Sequence, residues 1–204
     1  MSTVLLGILL NAIPSASTVW GNKFSFGAHT VLVYGSDSGE HESQLVVRLA
    51  RYHPDVFMEW ESKVYQGTLH LFQEAVGNGR NFTLSRLFDA GVDIESKDEM
   101  TVWISKWMYD ELTNEGSVKI KSNRLPLTMR VEGKGVHTLA INRSPQEMPV
   151  LRLKDNRGGA WAFHEDRDNP VLMEYVLRHY RLYLKSVSTS RNSLRWIRKL
   201  PPVK

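Results

Sequence analysis

The chain has 204 residues, of which 42% are hydrophobic, so it is long enough to bury the core of one domain. It has no cysteine, which excludes disulfides, thiolate metal sites and cysteine nucleophiles. The net charge of +4 is uneven, because residues 178–204 contain eight Lys and Arg and no acidic residue. Subtracting those eight charges leaves residues 1–177 at −4. Such a basic end is typical of a segment that contacts an anionic partner, or of a solvated extension.

The first residues have the pattern of a secretory signal peptide, over residues 1–17. An apolar run from Val4 to Ile13 is followed by Pro14 and then by the small residues of segment 15–17. The run is too short for a bilayer, which needs about 20 apolar residues. No Lys or Arg precedes it, so a buried strand or helix is the alternative. We expect a periplasmic or secreted protein without a transmembrane span.

Most of the remaining chain alternates between apolar and polar residues, as β-strands do. The clearest stretch is DVFMEWESKVY, in which Val56, Met58 and Trp60 fall on one face and Phe57 and Glu59 on the other. Glycine-containing segments at 76–79, 132–135 and 155–159 supply the turns between such stretches. Short strands with frequent turns predict an antiparallel sheet.

One amphipathic helix is predicted in the middle of the chain. Ser96 and Glu99 match a capping box, and Gly116 is a suitable C-terminal stop for a helix of about 17 residues. The apolar positions of this helix are Met100, Trp103, Ile104, Trp107, Met108 and Leu112. The predicted fold class is therefore α+β, mostly β: an antiparallel, strongly curved sheet (half-barrel or meander) with one amphipathic helix packed on it. Residues 18–187 form a single β-rich domain in this interpretation, and 188–204 a basic C-terminal tail or arm.

The segment HEDRDNP, residues 164–170, is the densest polar cluster in the chain. Side chains alternate along a strand, so Trp161 and Phe163 should share one face and His164 should lie on the other. Asp and Asn followed by Pro170 are typical of turns. The calcium-loop spacing of oxygen ligands is missing. We interpret the segment as the turn between two strands, with a weak cation site and a catalytic site as the less favoured alternatives.

The other polar segments do not match a catalytic motif. In residues 34–43 the centre of the GSDSG stretch is Asp37, where a nucleophile elbow requires Ser, so an exposed hairpin loop is the better interpretation. The seven histidines have no paired spacing, although strands could bring His70, His137 and His164 together around zinc. No phosphate loop or dinucleotide motif is present. The sequence indicates no metal and no cofactor.

The second half of the chain resembles the C-terminal strands of uncharacterised bacterial exported β-proteins. The similarity lies in PVLRLKDNRGGAWAFHEDRDNPVLMEY, about thirty residues in which a Gly-rich turn, a strand, an Asp/Asn-Pro turn and another strand follow each other. The resemblance implies a curved, incomplete barrel similar to the lipoprotein-carrier fold, with the helix as a lid on its concave face. It implies no catalytic residue.

The favoured hypothesis is a non-enzymatic exported protein of a bacterial envelope that binds an apolar ligand, a lipid or a partner protein between helix and sheet. Six apolar side chains are candidates for lining that space. They are Phe57, Met58, Trp60, Trp103, Trp107 and Trp161.

Two other functions stay open. One is a hydrolase that uses His164 with Asp166 or Glu59, since a base must reach its proton at hydrogen-bond distance. The other is binding of an anionic partner by the tail, with nucleic acid the least favoured partner. The tail residues that would make such contacts are Arg191, Arg195, Trp196, Arg198 and Lys199.

Overall fold

The computed structural model describes residues 26–39, 41–84 and 93–189. These residues form thirteen strands of one large curved sheet, together with two helices. The predicted fold class is confirmed: the protein is mostly β, and most neighbouring strands are antiparallel.

The bounds of the elements follow the alternating segments of the sequence. The strands are β1 (Val31–Asp37), β2 (Glu42–Arg51), β3 (Val56–Ser62), β4 (Gln66–Leu71), β5 (Asn81–Phe82), β6 (Ile94–Ser96), β7 (Glu99–Met100), β8 (Ser117–Ser122), β9 (Leu125–Ile141), β10 (Ser144–Asp155), β11 (Ala160–His164), β12 (Leu172–Leu177) and β13 (Tyr180–Ser188). The helices are α1 (Gln73–Asn78) and α2 (Lys106–Glu115).

The sheet partly closes on itself. Its order is β6-β4-β3-β2-β1-β13-β12-β11-β10-β9-β8-β5-β7, and β13 also pairs with β9 through Ser186 and Val187, so β9 to β13 form a partial ring. The two edge strands, β6 and β7, are consecutive in the chain and are separated by only Lys97 and Asp98. Both edge strands are short, with three and two residues, and short edges limit pairing with another chain.

The predicted start of the helix is wrong. Helix α2 begins at Lys106, and its N-cap is Ser105, whose Oγ accepts a hydrogen bond from the Met108 N–H at 3.1 Å. Ser96 instead closes the turn between β6 and β7, because its Oγ accepts from the N–H of Glu99 at 2.8 Å. Gly116 ends the helix in the left-handed conformation (φ 69°), as predicted.

The apolar positions before Ser105 belong to the sheet instead of the helix. Met100 lies in β7, and Trp103 forms an isolated bridge with Val171. The i, i+3, i+4 spacing of apolar residues continues through this segment only by coincidence. These residues are buried by contacts with the sheet and not by a helix. Tertiary pairing therefore outweighs the helical pattern at residues 100–104.

A short helix, α1, was not predicted. It contacts α2, and its Ala75 is fully buried. Gly79 follows it at a tight approach, since a Cβ there would lie 2.6 Å from the carbonyl oxygen of Ala75. The two helices and the sheet enclose one hydrophobic cluster. Its largest fully buried aromatic side chains are Tyr34, Phe82 and Phe163.

Candidate functional site

A small cleft, which we call the α2 cleft, lies where the N-terminus of α2 meets the sheet. The β2–β3 turn, the β11–β12 turn and the segment before α2 form its walls. Its volume is about 20 Å³, which is room for about one water molecule. The lining residues are Tyr52, His53, Val56, Val76, Met100, Trp103, Ile104, Lys106, Arg167, Asp168 and Pro170. The cleft thus combines buried apolar side chains with charged ones.

Two ion pairs fasten the β11–β12 turn to α2 beside the cleft. The guanidinium of Arg167 donates to both carboxylate oxygens of Asp110, each at 2.7 Å. Lys106 donates to Asp168, also at 2.7 Å. The hydrogen bond from Arg167 holds the pKa of Asp110 below its usual value, and the one from Lys106 does the same for the pKa of Asp168. Sequence reasoning identified this segment as a turn, and the structure adds that the turn is docked on the helix.

Tyr52 joins the β2–β3 turn to the same place. Its hydroxyl lies 2.7 Å from Oδ1 of Asn169 and 2.8 Å from the carbonyl oxygen of Asp168, so it donates to one of the two at a time. Burial, together with the charges of Asp166 and Asp168, raises the pKa of Tyr52. The hydroxyl is therefore a neutral donor that holds two turns together.

Trp103 forms part of the apolar floor of the cleft and is only 3% exposed. Among the described residues, no hydrogen-bond acceptor contacts its buried indole Nε1. The preceding residue, Val102, has a positive φ of 49°, which a β-branched residue rarely adopts. Its carbonyl accepts a hydrogen bond from the Leu172 N–H at 2.7 Å, and this bond helps hold the segment against β12. The cleft is therefore lined by a tryptophan whose indole N–H has no acceptor within the described ranges and whose neighbouring backbone is held by the sheet.

His164 is buried at the end of β11, with 5% of its surface exposed. Its Nδ1 lies 3.0 Å from the carbonyl oxygen of Asn169, so the neutral ring donates from Nδ1. The ring of Phe26 lies edge-on at 6.2 Å between centroids. Burial lowers the pKa of His164, although Asp166 and Glu165 oppose this effect. The imidazole therefore closes the turn as a neutral group.

Stability should depend on pH through His164. The unfolded chain binds a proton near pH 6.5, whereas the folded chain, whose His164 pKa is lowered, binds it only at a lower pH. The free energy of unfolding should therefore fall as the pH drops from about 6.5 toward the folded pKa, by at most about 1.4 kcal/mol per pH unit. His164→Asn keeps a side-chain donor and removes the titration. Urea unfolding at pH 7, 6 and 5 should show a smaller decrease for this variant.

The exposed His179 supplies the matched control for that measurement. His179→Asn should keep the pH dependence of the wild-type protein. The interpretation fails if His164→Asn and the wild-type protein lose the same free energy of unfolding between pH 7 and pH 5.

The six predicted lining residues lie in three different environments. Met58, Trp60, Trp103 and Trp161 belong to the buried core. Trp107 is half-buried against that core, with the guanidinium of Arg80 4.5 Å from its ring centroid. Phe57 lies on the other face of β3 from Met58 and Trp60, as the alternation requires, and its ring contacts His70 at 5.8 Å. Of the six, Trp103 lines the cleft.

The predicted register of β11 is confirmed for its aromatic residues. The rings of Trp161 and Phe163 stack at 6.1 Å with an interplanar angle of 7°. Phe82 packs edge-on against both. These rings fill the core and do not border the cleft.

The residues of the predicted hydrolase site each have another partner. Asp166 accepts hydrogen bonds from the Asp168 N–H at 2.9 Å and from Nδ2 of Asn169 at 3.2 Å, within the turn. Glu59 forms an ion pair with Arg48 on the outer face of β2 and β3. Within residues 26–39, 41–84 and 93–189, no three His, Asp or Glu side chains are grouped so that they could hold a metal ion.

A second polar cluster, which sequence reasoning missed, lies on the outer face of β3, β4 and β6. Nε2 of His70 lies 3.0 Å from Oδ2 of Asp55, and Nδ1 lies 4.0 Å from Oε1 of Glu95. The bond with His70 holds the pKa of Asp55 below its usual value. The bond through Nε2 therefore links β4 to the segment before β3, whereas 4.0 Å is too long for a hydrogen bond between Nδ1 and Glu95.

No family model matches this chain, and the searches of curated proteins and of solved structures gave no significant match. The resemblance to exported half-barrel proteins therefore stays a prediction. In the described part of the chain, neither helix is long and apolar enough to cross a membrane. The predicted signal peptide and the five tail residues, Arg191 to Lys199, lie outside the described residues.

Proposed function

We propose that this protein is a non-enzymatic binding protein that holds an apolar side chain of a partner protein in the α2 cleft. The observation that supports this proposal is the composition of the cleft, which has an apolar floor of Val56, Val76 and Trp103. Charged residues surround the floor, among them Lys106 and Asp168. An apolar pocket with a polar rim is the usual seat of an anchor side chain in protein interfaces.

The size of the cleft favours a partner protein over an apolar small molecule or a lipid. A volume of about 20 Å³ fits the end of one aliphatic side chain, whereas drug-sized ligands occupy pockets of about 300–1,000 Å³. Met58, Trp60 and Trp161 would contact a larger ligand only if the core opened, because they are at most 5% exposed.

Export to a bacterial envelope is part of the same proposal and is supported by the apolar run of residues 4–13. The hydrolase alternative has less support. His164 donates into its own turn, and Asp166 and Glu59 each have another partner.

Filling the cleft should weaken peptide binding. Peptides selected for binding to the wild-type protein by display should carry an apolar anchor residue. Val76→Met should weaken their binding at least tenfold, because the longer side chain occupies the anchor's volume. Calorimetric titration gives the dissociation constants. Val131→Met is the matched control, since Val131 is also partly buried against the core but lies on β9, away from the cleft.

The control should bind the selected peptides with nearly wild-type affinity. Equal binding by the wild-type protein and Val76→Met would contradict the proposal, and so would equal weakening by both variants. Thermal unfolding of each variant checks that the fold is retained.

A further inference from the structure

One outer surface of the sheet carries an unusual excess of positive charge. Strands β8, β9 and β10 bury one face and expose the other, as the alternation of Val118 and Ile120 with Lys119 and Lys121 shows. Several exposed cations lie on this outer face and on the two turns beside it. Six of them we call the basic face: Lys119, Lys121, Arg124, Arg130, Lys154 and Arg157.

The register places like charges directly opposite each other in the basic face. Lys154 of β10 pairs with Arg130 of β9, and Arg130 pairs with Ser117 of β8. Like charges at paired positions destabilise a sheet. A protein that keeps such a pair on its surface sacrifices some stability, which is typical of a functional site.

Little negative charge offsets these cations. The chain has four Lys and Arg and no Asp or Glu from Gly116 to Val131. The nearest acidic side chain on these strands is Glu132, whose Oε1 lies 4.0 Å from Nζ of Lys154. Asp155 is buried and faces the core side, where it accepts hydrogen bonds. The basic face lies within residues 1–177, which together carry a net charge of −4. Its positive charge is therefore a local excess in an otherwise acidic part of the chain.

The shape and composition of the basic face favour a lipid surface. Residues 117–157 contain no Phe, Trp or Tyr, so the basic face has no aromatic platform on which nucleic-acid bases could stack. Clustered Lys and Arg side chains are attracted to the negative surface of bilayers that contain anionic lipid, and they need no base-stacking group for that contact.

We propose that the basic face docks on the surface of a bilayer that contains anionic phospholipid. The cations then neutralise lipid phosphates, and the repulsion between Arg130 and Lys154 is relieved by the shared anionic partner. None of the residues of the basic face lines the α2 cleft, so the two sites are independent.

Vesicle flotation with the full chain tests this proposal. Vesicles of phosphatidylcholine alone are compared with vesicles that contain 30% phosphatidylglycerol (about one lipid in three), at low and at physiological salt. The wild-type protein should bind the anionic vesicles, and the binding should weaken as salt rises. Arg130→Glu combined with Lys154→Glu should weaken it at least tenfold. The neutral pair Arg130→Gln with Lys154→Gln should weaken it less and guards against a folding defect.

Two further double variants make the same change in net charge elsewhere. Lys63→Glu with Arg143→Glu alters other exposed turns, and Arg195→Glu with Arg198→Glu alters the tail. If the basic face docks, the first of these pairs leaves binding within about threefold of the wild type, and the tail pair weakens it less than the change at Arg130 and Lys154 does.

Three results would overturn the proposal. One is equal weakening by all three charge-reversal pairs, which would mean that net charge alone is responsible. Another is loss of binding through the tail pair only. The third is binding of duplex DNA or of an acidic protein by the basic face in the absence of any binding to the anionic vesicles.

Discussion

Asp155→Ala should lower the free energy of unfolding by about 3 kcal/mol, because it leaves two buried donors and one half-buried donor without an acceptor. Asp155 is 8% exposed at the end of β10. Its Oδ1 accepts from the N–H groups of Arg157 at 2.7 Å and Gly159 at 2.8 Å, and its Oδ2 accepts from Nε1 of Trp161 at 2.8 Å. One carboxylate therefore closes the β10–β11 turn and holds the indole that stacks on Phe163.

Urea unfolding at pH 7 measures this effect, with Asp155→Asn and Asp166→Ala as the comparisons. The amide of Asp155→Asn keeps one acceptor oxygen, so it should recover about half of the lost free energy. Asp166 also accepts two hydrogen bonds in a turn, but it is only half-buried, and water can replace it there. Asp166→Ala should therefore cost less than about 1 kcal/mol. Equal losses at Asp155 and Asp166 would show that burial of the carboxylate is not the cause.

Ser105→Ala should lower the free energy of unfolding by about 2 kcal/mol, since Ser105 is both an N-cap and a buried link. Its Oγ accepts from the Met108 N–H at 3.1 Å and donates to the carbonyl oxygen of Gly79 at 2.7 Å. Ser105 is fully buried, so no water replaces either bond in the variant. The N-terminus of α2, which borders the cleft, should loosen.

Hydrogen exchange separates this effect from a general loss of stability. The amides of Met108 and Tyr109 should exchange faster in Ser105→Ala, even after the contribution of global unfolding to their exchange has been subtracted. Ser96→Ala is the matched control because Ser96 also caps a local N–H, that of Glu99. It should leave the exchange at Met108 unchanged. Faster exchange at Met108 in Ser96→Ala would instead support a helix that begins at Ser96.

Alternation predicted the strands because it is a local property of the chain. In DVFMEWESKVY the burial of Val56, Met58 and Trp60 follows the period of two, and β3 covers that stretch. The turn at residues 165–170 was predicted for the same reason, since Asp, Asn and Pro favour turns whatever surrounds them. Gly116 ends α2 because a residue with positive φ is needed there.

The helix start could not be predicted, because two capping patterns compete. Ser96 and Glu99 satisfy the capping box, whereas Ser105 lacks a matching acidic residue three positions later and is still the N-cap. The choice depends on the bridge between Trp103 and Val171, which lie 68 positions apart. Such long-range pairing outweighs a local preference of about 1 kcal/mol.

The candidate sites were likewise predictable only in part from the sequence. The Lys119 and Lys121 alternation was visible in the sequence, and so was the charged turn with Arg167 and Asp168. That Lys154 lies opposite Arg130, however, follows from the pairing of β10 with β9. The cleft likewise requires that the β2–β3 turn, α1 and the β11–β12 turn converge on Trp103.

By itself, the sequence determined the β-rich class, the faces of the strands, the turns and the C-terminal end of the helix, because each depends on residues within a few positions of one another. Tertiary structure alone decided the order of the strands, the partial ring of β9 to β13, and the positions of the cleft and the basic face. The physical reason is that a period of two fixes which way a side chain points but not which strand lies beside it. Which strands pair depends on how the apolar surface of the whole chain is buried.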